Sequence, residues 1–147
     1  MSVRLILLAA AFTALPAAAQ STDYMNGYYQ HGVESGAAPQ TASNMVTCAT
    51  YWAVWSQSAA TDWDAAFMAE LDPDLRPAES ELAAGYWATL ANDLYMDETG
   101  DTARFEQEIS IATPIAVQAY SDLRTSSDAR DRYHMFRVLG ACHLTFE

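Results

Sequence analysis

From position 45 onward, apolar residues recur at steps of three and four. Met45, Cys48, Trp52, Trp55 and Ala59 fall on one stripe of a helix. This predicts a first helix over about 42–60, with Thr41 or Ser43 as its cap. Trp63, Ala66 and Phe67 predict a short helix after it. Thr61 is its expected cap, and Asp64 lies three residues on, the spacing of a capping box. Pro73 and Pro77 mark the stretch LDPDLRP as a turn-rich connector, because the residue before a proline is pushed out of the helical region. Leu82, Ala83, Tyr86, Trp87, Leu90 and Leu94 predict a helix over about 78–97, ended by Gly100. Asp101 then caps a segment over about 102–123, where Phe105, Ile109, Ala112, Ala116, Ala119 and Leu123 repeat at three and four. Pro114 should kink or break it. The run TSSD at 125–128 caps a last helix over about 129–144, with Met135, Leu139, Cys142 and Phe146 on one stripe. No alternating pattern of useful strand length occurs. The fold class is therefore all-α: an antiparallel bundle of four main helices plus one short helix, in a domain spanning 41–147.

The first forty residues read differently. Arg4 precedes an apolar run from Leu5 to Leu15, Pro16 breaks it, and three alanines follow. A positive start, a short apolar middle and small residues at the cleavage point predict a signal peptide over 1–19, cut before Gln20. The run is shorter than the ~20 residues a bilayer span needs, so no stable membrane anchor is expected after cleavage. The location predicted is periplasmic or secreted. Residues 20–40 mix Gly27, Gly32, Gly36 and Pro39 with polar residues and Tyr24, Tyr28 and Tyr29, and are expected to form a flexible N-terminal arm.

An exported chain meets oxidising conditions, in which disulfides persist. The two cysteines, Cys48 and Cys142, lie near the start of the first predicted helix and the end of the last. Antiparallel packing puts those ends level, and each cysteine faces the core on its own stripe. A Cys48–Cys142 disulfide stapling the bundle is expected. A catalytic thiol would need a base beside it to form thiolate, and nothing places His31, His134 or His143 next to Cys48.

Charge changes the list of possible partners. There are 19 acids against 7 arginines and no lysine, a net charge of −12 that becomes −13 when Arg4 leaves with the leader. Such a surface repels phosphate backbones, so nucleic acid is excluded as a partner and a cationic protein is favoured. Asp97, Thr99, Asp101 and Glu108 match places one, three, five and twelve of a calcium loop. Thr102 stands at the sixth place, where the sharp turn needs glycine. Glu79 and Glu81 are two apart on a helix and point different ways, unlike a glycosidase pair. No hydrolase, zinc or phosphate-loop signature is present. The sequence assigns no catalytic, metal or cofactor residue. Trp52, Trp55, Trp63 and Trp87 read first as core, and second as a pocket or interface. The function these features favour is a non-enzymatic protein-binding module of inhibitor, immunity or chaperone-like type. A small hydrophobic-ligand carrier with an aromatic pocket and an enzyme of unrecognised type are the alternatives.

Overall fold

The computed structural model describes residues 17–144, with side chains from Thr22 onward. Among the described residues there are seven α-helices, one 3-10 turn and no strand. They run α1 Ala17–Glu34, α2 Ala42–Asp62, α3 Ala65–Glu70, a 3-10 turn Pro73–Leu75, α4 Pro77–Thr99, α5 Ala103–Thr125, α6 Ala129–Arg132 and α7 His134–Ala141. The fold is an all-α bundle stapled by one disulfide. The central element is α2, packed on α4, α5 and α7, while α1 lies along α7.

The α2 stripe is buried as its spacing predicts: Met45, Cys48, Trp52, Trp55 and Ala59 all lie in the core. Thr41 caps it by accepting from the Asn44 amide at 3.2 Å. The helix runs two residues past its expected end, to Asp62, so Thr61 sits inside it. Asp64 itself caps α3, accepting from the Phe67 amide at 2.8 Å. Gly100 ends α4 in the left-handed region, φ 76°, where a side chain would be strained. Pro114 does not break α5, which runs unbroken from Ala103 to Thr125. The carbonyl that Pro114 orphans belongs to Ser110, which is exposed.

Two expectations are corrected. Residues 20–40 are not an irregular arm: up to Glu34 they are helix α1. Thr22, Met25, Tyr29 and Gly32 are buried at steps of three, four and three. Two of these four are a threonine and a glycine, so the stripe is invisible to a reading by hydrophobic type. The predicted leader lies mostly outside the described residues; only Ala17, Ala18 and Ala19 fall within them, as the first turn of α1. The last helix is not continuous either. It splits at Tyr133, φ −105° and ψ 10°, into α6 and α7. Tyr133 is buried there beneath Tyr24 and Tyr28, with ring centroids 5.4 and 5.3 Å away. Phe146, expected on the last stripe, lies outside the described residues.

Backbones meet where α1 crosses α7. A Cβ built on Gly32 would lie 2.2 Å from the Arg137 carbonyl oxygen, and one on Gly140 would lie 2.0 Å from the Tyr29 carbonyl oxygen. Both positions require glycine. On its other side α1 grips the connector before α4. Asn26 donates to the Glu70 carbonyl at 2.9 Å and accepts from the Asp72 amide at 2.7 Å. Gln30 donates to Asp72 at 2.7 Å, and Tyr29 to Asp74 at 2.8 Å.

Candidate functional site

The cysteines sit where the bundle topology puts them. Cys48 on α2 and Cys142 at the end of α7 are bonded, with Cα atoms 5.4 Å apart and 94 residues between them in sequence. Both are buried, and no free cysteine remains. The staple is also where two tryptophans find partners. Trp52 and Trp87 both donate their indole N–H to the Cys142 carbonyl oxygen, at 3.0 and 2.8 Å. Trp55 donates to the Leu75 carbonyl at 2.7 Å and meets Phe136 edge-on at 4.9 Å. A buried indole N–H needs an acceptor, and here carbonyls at a helix end and a turn supply it. These three tryptophans pack the interior and do not jointly line a pocket.

Trp63 stands apart, half-buried at the end of α2. It stacks on Phe67 at 4.3 Å, and the Arg124 guanidinium lies over its ring at 5.5 Å. Burial, and then donation to Asp62, push the nearby Tyr120 hydroxyl above its ordinary range, and the Trp63 indole N–H does not reach hydrogen-bonding geometry with it. Among the described residues this indole N–H is the one buried side-chain donor without an acceptor. Tyr120 donates to Asp62 at 2.5 Å, and this bond, with a second from Thr61, holds the exposed Asp62 carboxyl below the usual range.

A partly enclosed hollow of about 60 Å³ is lined by Tyr29, Trp52, Asp74, Glu79, Leu82, Ala83 and Leu144. That holds a few waters and is far below the ~300 Å³ at which small-molecule sites begin. Burial, and then donation to Asp74, push the Tyr29 hydroxyl far above the ordinary tyrosine range. The sign follows. A raised folded-state pKa leaves stability intact below pH 10, the ordinary tyrosine value, and removes it as pH rises further. In an alkaline titration followed by phenolate absorbance, Tyr29 should be among the last of the eight tyrosines to ionise, and only as the chain unfolds. Ionisation of all eight near pH 10 in a still-folded protein would contradict this placement.

Shallower grooves are larger: one of about 490 Å³ lies beside Trp63 and Met68, and two more bear on the sequence reading. One, of about 480 Å³, runs along the outer face of α4, lined by Glu81, Leu82, Gly85, Tyr86, Thr89, Leu90 and Asp93. Leu82 is 69 % exposed and Tyr86 49 %. The sequence pattern placed both on the core face of that helix. Ala83 and Trp87 of that face are buried as expected, and the other buried α4 residues are Ser80, Ala91 and Tyr95. Glu81 lines this groove and Glu79 the small hollow, so the two glutamates serve different surfaces. The second groove, of about 380 Å³, lies between α1 and α6–α7 and gathers Tyr24, Tyr28, His31, Arg130 and Arg137.

The acid-rich turn between α4 and α5 is used internally. Asp101 accepts from the Ala103 amide at 2.7 Å, and Glu108 pairs with Arg104 at 3.1 Å. Among the described residues no group of three histidine, cysteine or acidic side chains converges as a metal site would require. His143 is held by its own turn, its Nδ1 2.8 Å from the Gly140 carbonyl oxygen. His134 meets the Tyr51 ring edge-on at 6.3 Å. No described helix is long and apolar enough to cross a membrane. No protein-family model, curated protein or solved structure matches the chain, so its functional reading rests on this geometry alone.

Proposed function

We propose that this is an exported, non-enzymatic protein-binding module that takes a cationic amphipathic segment along α4. The carrying observation is the groove in which exposed Leu82 and Tyr86 lie between Glu81 and Asp93, with Gly85 leaving room at its centre. An apolar floor with an acidic rim complements a helix whose one face is aliphatic and whose flanks are basic. The net charge of −12 adds long-range steering toward such a partner. Inhibitor, immunity and chaperone-like roles all use a rigid surface of this kind. The predicted leader over 1–19 makes the location periplasmic or secreted, and a buried cystine suits an oxidising compartment. The hydrophobic-ligand alternative draws no support from a 60 Å³ hollow.

The test is a titration of the isotopically labelled mature protein with a leucine–lysine amphipathic helical peptide. Chemical-shift changes should be concentrated between Glu81 and Asp93. Affinity should fall as salt is raised, since the Debye length shrinks from about 10 Å at 0.1 M to about 3 Å at 1 M. Leu82→Asp removes a side chain whose burial contributes about 1.5–3 kcal/mol, so binding should weaken about tenfold or more. Shifts spread evenly over the surface, or an affinity indifferent to Leu82→Asp, would remove the proposal. Capture from an envelope extract with the wild type and the Leu82→Asp variant in parallel would then identify the natural partner.

A further inference from the structure

Charge is distributed very unevenly along this chain. Residues 17–123 hold sixteen acids and two arginines, whereas residues 124–144 hold two acids and four arginines. Two of those arginines, Arg130 and Arg137, line the groove against α1 together with Tyr24, Gly27, Tyr28 and His31. Among the described residues the ion pairs within 4.0 Å are Arg104–Glu108 and Arg124–Asp62. In a chain with nearly three acids for each arginine, the two guanidiniums of the groove have no carboxylate within 4.0 Å among the described residues.

The aromatic side of the groove is equally specific. Tyr24 is stacked on the buried Tyr133, centroids 5.4 Å apart and planes 17° from parallel, yet 56 % of Tyr24 is exposed. One ring face is thus fixed by the core while the rest is open to the groove. Gly27 leaves the floor between Tyr24 and His31 empty, since a Cβ there would meet nothing within 4 Å. Glycine inside a helix is less favourable than alanine. No close contact requires it here, so its effect on the surface is to keep the groove open.

We propose that this groove binds a small aromatic carboxylate. Its carboxylate lies between the forks of Arg130 and Arg137, and its ring stacks on Tyr24. Guanidinium groups match a carboxylate's two oxygens with charge-assisted hydrogen bonds, and an offset ring stack adds to what the buried area alone contributes. His31 offers a further ring nitrogen at the same wall. Asp23 also lines the groove and repels an anion, which turns the carboxylate toward the arginines. A volume of about 380 Å³ falls inside the range of small-molecule sites, ~300–1,000 Å³. The groove belongs to α1, α6 and α7, and the inference does not depend on the α4 surface.

The experiment is a nuclear magnetic resonance titration of the mature protein at 0.1 M ionic strength, with four probes added separately. These are benzoate, cyclohexanecarboxylate, benzyl alcohol and inorganic phosphate. Benzoate should give saturable shifts at Tyr24, Gly27, Tyr28 and Arg137. The other three probes should each bind more weakly, for want of a flat ring or of a carboxylate. The double variant Arg130→Gln/Arg137→Gln should weaken benzoate binding tenfold or more, as should Gly27→Leu, which fills the floor. Both arginines and Gly27 are exposed, so these variants keep the fold, and an unchanged melting temperature verifies it. Benzoate shifts that never saturate, a double variant that binds as well as the wild type, or phosphate binding as tightly as benzoate would each overturn the assignment.

Discussion

Gly140→Ala should lower the melting temperature by about 3–10 °C, although alanine is the better helix former. Gly140 is in α7, where local propensity alone would favour alanine by about 1 kcal/mol. Packing acts against it. The added methyl would sit 2.0 Å from the carbonyl oxygen of Tyr29 and 2.9 Å from the Val33 amide nitrogen. These are backbone atoms, which no change of rotamer can move aside. The two helices must separate by more than 1 Å, and overpacking of this kind destabilises by about 1–3 kcal/mol, occasionally more. Separation also opens the contacts of Met25 and Tyr29, which are both almost fully buried. With each kcal/mol worth roughly 3–5 °C in a domain of this size, the net loss falls in the stated range. Gly32→Ala should behave alike, its methyl meeting the Arg137 carbonyl at 2.2 Å. Gly85→Ala, in α4 with open space around it, provides the control and should raise the melting temperature by a few degrees. Hydrogen exchange should show Met25 to Gly32 losing protection in Gly140→Ala. An equal rise for Gly140→Ala and Gly85→Ala would mean that α1 does not lie against α7.

The same pair of glycines shows where the chain is readable and where it is not. The α2 stripe could be read because each residue on it is apolar, although α2 is central and also buries Ala49, Thr50 and Tyr51 on its other faces. The stripe of α1 has the same spacing, but Thr22 and Gly32 occupy two of its places. Glycine reads as a helix breaker until its partner is known, and Gly140 lies 108 positions further along. On α4 the opposite error arises. Ala83 and Trp87 point inward as expected, but Leu82 and Tyr86, apolar by type, stay exposed while the polar Ser80 is buried. Ser80, Ala83 and Ala91 are the small residues of the buried face, and Trp87 and Tyr95 its large ones. At the break, the buried Tyr133 packs against Tyr24 and Tyr28, which lie more than a hundred residues away. The tryptophans could be read as core, but their shared acceptor could not, because a carbonyl carries no sequence signature. The cationic groove did leave a signal, the reversal of charge after position 123, which a whole-chain net charge conceals.

Removal of the staple should have an effect at least as large as the glycine clash. The bond closes a separation of 94 residues, for which loop-closure entropy is about 4–5 kcal/mol, with measured losses more often 2–4. Total stability for a domain of this size is about 5–15 kcal/mol, so a loss near 3 kcal/mol should lower the melting temperature by about 10–15 °C. The native state adds a local term. The Cys142 carbonyl receives both the Trp52 and Trp87 indoles, and it is held at the end of an eight-residue helix. Helices that short are marginal without tertiary support. Untying the sulfurs should therefore loosen the carbonyl from two tryptophans at once, reducing the near-ultraviolet dichroism of their rings before global unfolding. Cys48→Ala, Cys142→Ala and the double variant should lose similar stability, since each removes the same single bond, and reduced wild type should match them. Both sulfurs are buried, so native protein should resist mild reductant until it opens, and thiol titration should find none in the native state and two after denaturing reduction. A wild type whose melting temperature is unmoved by full reduction would show that the helices hold α7 in place without the covalent bond.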